Sequence, residues 1–302
     1  MIQVLGHSNP DSDSICSALV AAQWLKSARG VDAVAVAQGN PTGETAFILE
    51  QAGVQAPALC GPLADQSVWL VDFTDLGQGP ADLDKAEVLG VIDHHRLGDL
   101  TTIGQLEAWI WPVGCTSTIL FNLFRMENVA IERSMAMLML GAIISDTVAF
   151  RSPTCTDKDR EAAHYLAEEA SVDLDAFAEQ LLIVKTNLDG LSIDSLIDRD
   201  LKQYNLPEGV VVVGQVEIAS FDQTNEKVDA LESELEARCE KEGLKLAALM
   251  LTNISNSTTH LLVKGEWAHK LKSNTGDRWV DMPDTLSRKK QAWPWIQRVL
   301  AV

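Results

Sequence analysis

Three short apolar runs in the first third of the chain each stop at a chemically active residue, and segments of helical periodicity lie between such runs. Residues 2–6 lead to His7, residues 68–71 to Asp72, and residues 88–92 to Asp93, His94 and His95. Such runs are long enough only for buried strands. Between them, residues 14–28 place Ile15, Ala18, Leu19, Ala22 and Leu25 at helical spacing before Gly30, residues 31–37 repeat the strand pattern, and residues 43–52 repeat the helix. Strands joined by helices must run parallel, because the crossover returns the chain to the same edge of the sheet. The expected fold is α/β, with an amino-terminal parallel sheet flanked by helices. Ligands of such sheets collect at the carboxyl ends of the strands, which is where these acids and imidazoles fall.

Helical signals over residues 117–126, 132–144, 157–169 and 175–184 complete a first domain spanning 1–186. A polar stretch containing Gly190 marks a linker at 187–191, and a smaller carboxy-terminal α/β domain is expected over 192–302. There the pattern predicts a short helix over 193–204, a strand over 210–218, a charged helix over 222–241, β-like runs at 245–252 and 260–263, and an irregular tail. At roughly 100–200 residues per domain, two domains suit a chain of this length. A net charge of −19, from 24 Lys and Arg against 43 Asp and Glu, opposes phosphate neutralisation, so nucleic acid is excluded as a partner. The longest apolar run, residues 135–144, is about half of a bilayer span, so no membrane segment is expected. The start carries no secretory pattern, and five scattered cysteines without a CxxC pair fit a reducing cytoplasm.

His7, Asp11 and Asp13 surround a proline turn at the start of the first helix. One of the two acids would serve as its N-cap; two acids beside an imidazole suit a divalent cation better. Asp72 and Asp93 end their strands, and Asp146 follows the apolar helix in Ser145-Asp146-Thr147. Adjacent residues of an extended segment point apart, so His94 and His95 should not both bind one metal unless the chain turns. If the strand ends line up, two imidazoles (His7, His94) and four carboxylates (Asp11, Asp13, Asp72, Asp146) form an inventory for two cations about 3.5–4 Å apart that share a carboxylate and activate a water. Nitrogen and oxygen donors without a thiolate suit Mn²⁺, Co²⁺ or Zn²⁺ better than Ca²⁺. Opposite charge comes from Ser287-Arg288-Lys289-Lys290-Gln291, the densest basic cluster, and from Lys202, expected on a helix just past the linker. Such groups suit phosphate oxygens.

His7-x-x-x-Asp11-x-Asp13-Ser, Asp93-His94-His95-Arg96, Gly114-Cys-Thr-Ser-Thr118, Ser152-Pro-Thr-Cys-Thr156 and Ser287-Arg-Lys-Lys-Gln291, in that order, resemble the motifs of the family II inorganic pyrophosphatases of the DHH phosphoesterase superfamily. The carboxy-terminal motif separates these from exopolyphosphatases and nucleases that share the earlier ones. The resemblance implies hydrolysis of pyrophosphate to two phosphates by a hydroxide bridging two metals, one held by His7, Asp11 and Asp72 and the other by Asp13, Asp72, His94 and Asp146. It places His95, Lys202, Arg288 and Lys289 on the phosphates. It further implies two Mn²⁺ (or Co²⁺) in the protein sites, Mg²⁺ with the substrate, a DHH catalytic domain and a DHHA2-type substrate-binding domain that close over the substrate, and a cytoplasmic homodimer. A short-chain exopolyphosphatase and a phosphate-binding module without turnover are the other readings. Phe73-Thr74 stands where the family usually has His-Asn after the bridging Asp.

Overall fold

A computed structural model describes residues 1–102, 104–272 and 277–300, so the last two residues of the expected 192–302 domain and four within it lie outside the described residues. The chain divides into two compact units, Met1–Lys185 and Thr186–Val302. Among the described residues no helix is long and apolar enough to cross a membrane.

The first unit alternates as the apolar pattern dictates: β1 (Ile2–Leu5), α1 (Ser12–Arg29), β2 (Ala33–Ala37), α2 (Gly43–Ala52), β3 (Ala58–Leu59), β4 (Ser67–Val71), β5 (Glu87–Asp93) and β6 (Glu107–Ile110). Four helices follow, α3 (Thr116–Met126), α4 (Arg133–Asp146), α5 (Asp157–Ala170) and α6 (Leu174–Lys185). The strands form one parallel sheet in the order β3-β2-β1-β4-β5-β6. The edge strands β3 and β6 were not expected from the sequence, because two and four residues are too few to establish a period of two.

Local chemistry sets the helix ends. The Asp11 carboxylate accepts the Ser14 N–H at 3.0 Å, which caps α1. Gly30, at φ 62, ends it in the left-handed conformation that glycine adopts without strain. Helix α4 is apolar on all sides and is accordingly buried among α1, α2 and α5. Gly141 lets α4 approach α2: a Cβ there would lie 2.6 Å from Ile48 Cγ2. Gly141→Ala should therefore destabilise the protein by about 1–3 kcal/mol through overpacking, despite alanine's better helix propensity. Calorimetry would read this as a Tm several degrees lower, and an unchanged or raised Tm would contradict the close approach.

The second unit contains α7 (Ile193–Asp198), β7 (Lys202–Leu206), β8 (Gly209–Ile218), α8 (Val228–Glu242), β9 (Leu246–Asn253), β10 (Thr258–Lys264), α9 (Ala268–Leu271), β11 (Trp279–Met282) and α10 (Trp293–Leu300). Its sheet order is β11-β10-β9-β8-β7, with only β8 and β9 parallel. Alternation along β8 sends Val212 and Val216 into the cluster with Leu231 and Leu235 of α8, and Val211 and Val213 into the cluster with Ile296 of α10. Both faces are thus covered, which is why β8 and β9 read as continuous apolar runs.

Three expectations need correction here. The helix expected over 193–204 stops at Asp198, and residues 202–206 pair antiparallel with β8; Tyr204 and Leu206 alternate with more exposed neighbours, a period of two that the short segment conceals. Lys202 therefore opens a strand. The helix expected over 222–241 is a 3-10 turn, Phe221–Thr224, followed by α8. The tail is not irregular, since it carries β11, a π-helical turn over Arg288–Ala292, and α10. Tryptophans at 279, 293 and 295 supply the apolar contacts there.

Candidate metal centre

Strands β1 and β4 are neighbours, while the chain leaves β1 in the direction of β2. Loops on either side of this reversal diverge and leave a crevice at the carboxyl ends of the strands. His7 and Asp72 come from those two strand ends. Gly6 permits the tight passage from β1 to α1, because a Cβ there would meet Ser14 Oγ at 2.0 Å.

Asp72 is the centre of the arrangement. It is 2% exposed, and its φ of 67° is a left-handed conformation that costs a non-glycine residue on the order of 1–3 kcal/mol. Its N–H donates to the Ile92 carbonyl at 2.9 Å, which ties the turn to β5. The result is a carboxylate whose two oxygens serve different imidazoles: Oδ2 lies 3.3 Å from His7 Nε2, and Oδ1 lies 3.3 Å from His94 Nε2. His7 Nε2 is also 3.6 Å from Asp11 Oδ1, and His94 Nε2 is 3.9 Å from Asp13 Oδ2 and 3.8 Å from Asp146 Oδ2. His7, Asp11 and Asp72 form one group able to share a cation; Asp72, His94 and His95 form a second, and Asp13, Cys115 and Asp146 a third. Asp11 is therefore both the cap of α1 and a member of the cluster.

The donor set fits divalent cations. Metal bonds of about 2.0–2.2 Å place neighbouring ligand atoms roughly 3.0–3.6 Å apart, close to the spacings around His7 and His94 and longer than good hydrogen bonds. In both imidazoles Nδ1 faces a carbonyl, that of Ser8 at 2.8 Å for His7 and that of Val113 at 3.1 Å for His94. A carbonyl only accepts, so Nδ1 carries a proton and Nε2 is left to share either a cation or, without one, a second proton with the acids, which is the ring orientation of a metal-ligating histidine.

Without cations, protons take their place. Burial opposes charge on His7, yet Asp11 and Asp72 push its pKa up to about 11. Burial likewise opposes charge on His94, and Asp72 carries it up to about 9. Burial and the Asp72 charge push Asp13 up to about 6, and burial and Asp13 raise Asp146. Asp72, though buried, is held below the usual carboxylate range by its two imidazoles.

Two supporting residues, Ser17 and Asp159, were not singled out in the sequence. Asp13, 0% exposed, accepts the Thr116 N–H at 2.7 Å, the Ser17 hydroxyl at 2.6 Å and the Ser117 N–H at 3.2 Å. The N-terminus of α3, with its unpaired N–H groups, is thus aimed at Asp13, which accounts for the Gly114–Thr118 motif. Buried Asp159 accepts the Gly114 N–H, the Thr118 hydroxyl and both donors of Thr156, and so joins that motif to the one at residues 152–156. The capping-box spacing from Thr156 to Asp159 was the available signal.

His94 and His95 are not sent to opposite sides. Strand β5 ends at Asp93, the chain bends, and the two rings lie 4.2 Å apart. His95 Nδ1 is 3.0 Å from Asp93 Oδ1 and 3.5 Å from Asp72 Oδ1, with its side chain 54% exposed. Asp93 raises its pKa. Phe73 is buried in an apolar cluster with Leu5, Val36 and Leu70. The Thr74 hydroxyl accepts the Gly98 N–H at 2.8 Å and donates to the Arg96 carbonyl at 3.4 Å, so this pair packs the sheet and pins the loop after His95.

Within the second unit, Arg288 pairs with Asp200 at 2.7 Å and its N–H donates to Gln215 at 3.2 Å. Ser287 Oγ accepts the Lys290 N–H, and Gln291 Oε1 accepts the N–H groups of Leu286 and Ser287. Ser287 and Gln291 therefore shape the turn, while Lys202 and Lys289 are exposed.

Residues 1–143 match the family model of the DHH family, N-terminal domain, and residues 179–299 match that of the DHHA2 domain. The "Probable manganese-dependent inorganic pyrophosphatase" of Enterococcus faecalis is 36% identical over 304 residues, covering 99% of this chain and 98% of its own length. The protein of the same name from Lactobacillus helveticus is 37% identical over 301 residues, covering 96% of each chain. The solved structure titled "Crystal structure of Methanococcus jannaschii putative family II inorganic pyrophosphatase" superposes with a TM-score of 0.71 at 32% identity, over 100% of both chains.

Proposed function

The chain belongs to the manganese-dependent, family II inorganic pyrophosphatases of the DHH superfamily, and on that premise we propose that it hydrolyses pyrophosphate to two phosphates. The observation that carries this reading is the Asp72 carboxylate, whose two oxygens each face a different imidazole at 3.3 Å. That is the arrangement required of a bridge between two cations. The proposed ligands are His7, Asp11 and Asp72 for one Mn²⁺, and Asp13, Asp72, His94 and Asp146 for the other, with Co²⁺ as a substitute and Mg²⁺ accompanying the substrate.

Such cations supply an acidified water and neutralise phosphate charge. The protein's own groups do the rest. Nδ1–H donation by His7 and His94 to backbone carbonyls keeps each Nε2 directed at the acids. Asp93 holds Nδ1 of His95, which presents the rest of its exposed ring for contact with a phosphoryl oxygen. Lys202, Arg288 and Lys289 are proposed to hold the phosphates by charge-assisted contacts. Residues 1–186 would then be catalytic and residues 192–302 substrate-binding, joined by 187–191, in a cytoplasmic homodimer.

Phosphate release from pyrophosphate by the Mn²⁺-loaded protein, with tripolyphosphate alongside, tests the activity. Turnover of pyrophosphate is expected; release from tripolyphosphate alone would overturn the assignment.

The raised imidazole pKa values also fix a pH dependence. Below about pH 9 His94 keeps its proton in the metal-free protein, and a cation must displace it. Mn²⁺ affinity should therefore rise from pH 6 towards 9, by about tenfold per pH unit for each proton released. Equilibrium binding at pH 6, 7 and 8 measures the slope, and equal affinity at all three would contradict the proton competition.

A further inference from the structure

Glu44 is an acid in the first turn of α2, where a carboxylate normally faces solvent and complements the helix dipole. Here it is 9% exposed, and its oxygens are used by groups outside its own helix. Oε1 accepts the Ser12 hydroxyl at 2.7 Å and also the Ser145 hydroxyl. Oε2 lies 3.4 Å from Lys185 Nζ, and that ammonium donates to Ser145 Oγ at 3.1 Å and to the Ser145 carbonyl at 3.2 Å.

The two serines sit at particular places. Ser12 lies between Asp11 and Asp13 in the first turn of α1, and Ser145 immediately precedes Asp146 at the end of α4. A single carboxylate oxygen thus cross-ties the helix ends that carry three of the cluster's acids. Helix α4 ends there, and Lys185 supplies one of its terminal carbonyls with a donor. The ammonium also compensates Glu44, which would otherwise add a buried, unpaired charge beside carboxylates that already repel one another. Glu44 belongs to none of the groups of described side chains close enough to share a cation, so it acts through its neighbours.

We infer that Glu44, anchored by Lys185, is a positioning residue of the metal centre: it fixes the separation of Asp11 and Asp13 from Asp146, and so sets the affinity for Mn²⁺ without touching metal or substrate. This rests on the proposed reading of those acids as metal ligands.

The test compares the whole protein with its Glu44→Gln and Ser145→Ala variants. Mn²⁺ number and affinity are measured from the paramagnetic resonance signal of the free ion, thermal unfolding is measured in chelator, and pyrophosphate hydrolysis is followed across Mn²⁺ concentrations. Loss of such supporting contacts characteristically weakens metal binding by about 10–100-fold. Both variants should show a loss in that range for at least one Mn²⁺, with hydrolysis recovering as Mn²⁺ is raised in proportion. A lower Tm of the metal-free variants with Mn²⁺ affinity within twofold of the parent protein would overturn the inference, because a purely structural tie would behave that way. Ser145→Ala removes one hydroxyl and leaves the ion pair, so it keeps the test open if Glu44→Gln folds poorly. Failure of the parent protein to bind Mn²⁺ or to release phosphate would instead sink the functional reading, and is read before any variant.

Discussion

Asp72→Asn is expected to abolish pyrophosphate hydrolysis, by at least about 10³-fold or roughly 4 kcal/mol of transition-state stabilisation, and to remove tight Mn²⁺ binding. No other single substitution in the cluster should cost as much, because only this carboxylate faces both His7 and His94. Asparagine preserves the shape and also tolerates the left-handed backbone at φ 67°, so the fold should persist while the charge is lost. Elemental analysis of bound metal, beside phosphate release, measures both effects. Retention of two tight Mn²⁺ ions with near-parental turnover would rule out the bridging role.

The second large effect is expected in the basic turn. Arg288→Ala and Lys289→Ala should each lower kcat/KM for pyrophosphate by about 100-fold, since a charge-assisted contact contributes on the order of 1.5–3 kcal/mol. Metal content should stay constant. Lys290→Ala is the internal control, because the segment is a π-helical turn and it is the Lys290 N–H, not its side chain, that serves the turn through Ser287 Oγ. Three equally mild losses would reduce the cluster to a solvated surface patch.

The electrostatic logic of the first unit joins these results to the pH dependence. Burial and the neighbouring acids raise the pKa values of Asp13 and Asp146, and His7 and His94 hold protons that a bound cation would have to replace.

The sequence by itself determined the strand ends, the helices between them and the identity of the acids and imidazoles that follow each strand. These depend on neighbours along the chain: apolar runs of strand length, a cap such as Asp11, and a left-handed stop such as Gly30. Tertiary structure decided how those groups are shared. The bend after Asp93 brought His94 and His95 to one side, a hairpin turned Lys202 from helix to strand, and the turn at Asp72 aimed two oxygens at two imidazoles. Glu44 was invisible as a participant because its partners Ser12 and Ser145 stand 32 and 101 residues away. Periodicity records which face of an element is buried; only the packing of distant elements determines which buried oxygen meets which hydroxyl, imidazole or ammonium.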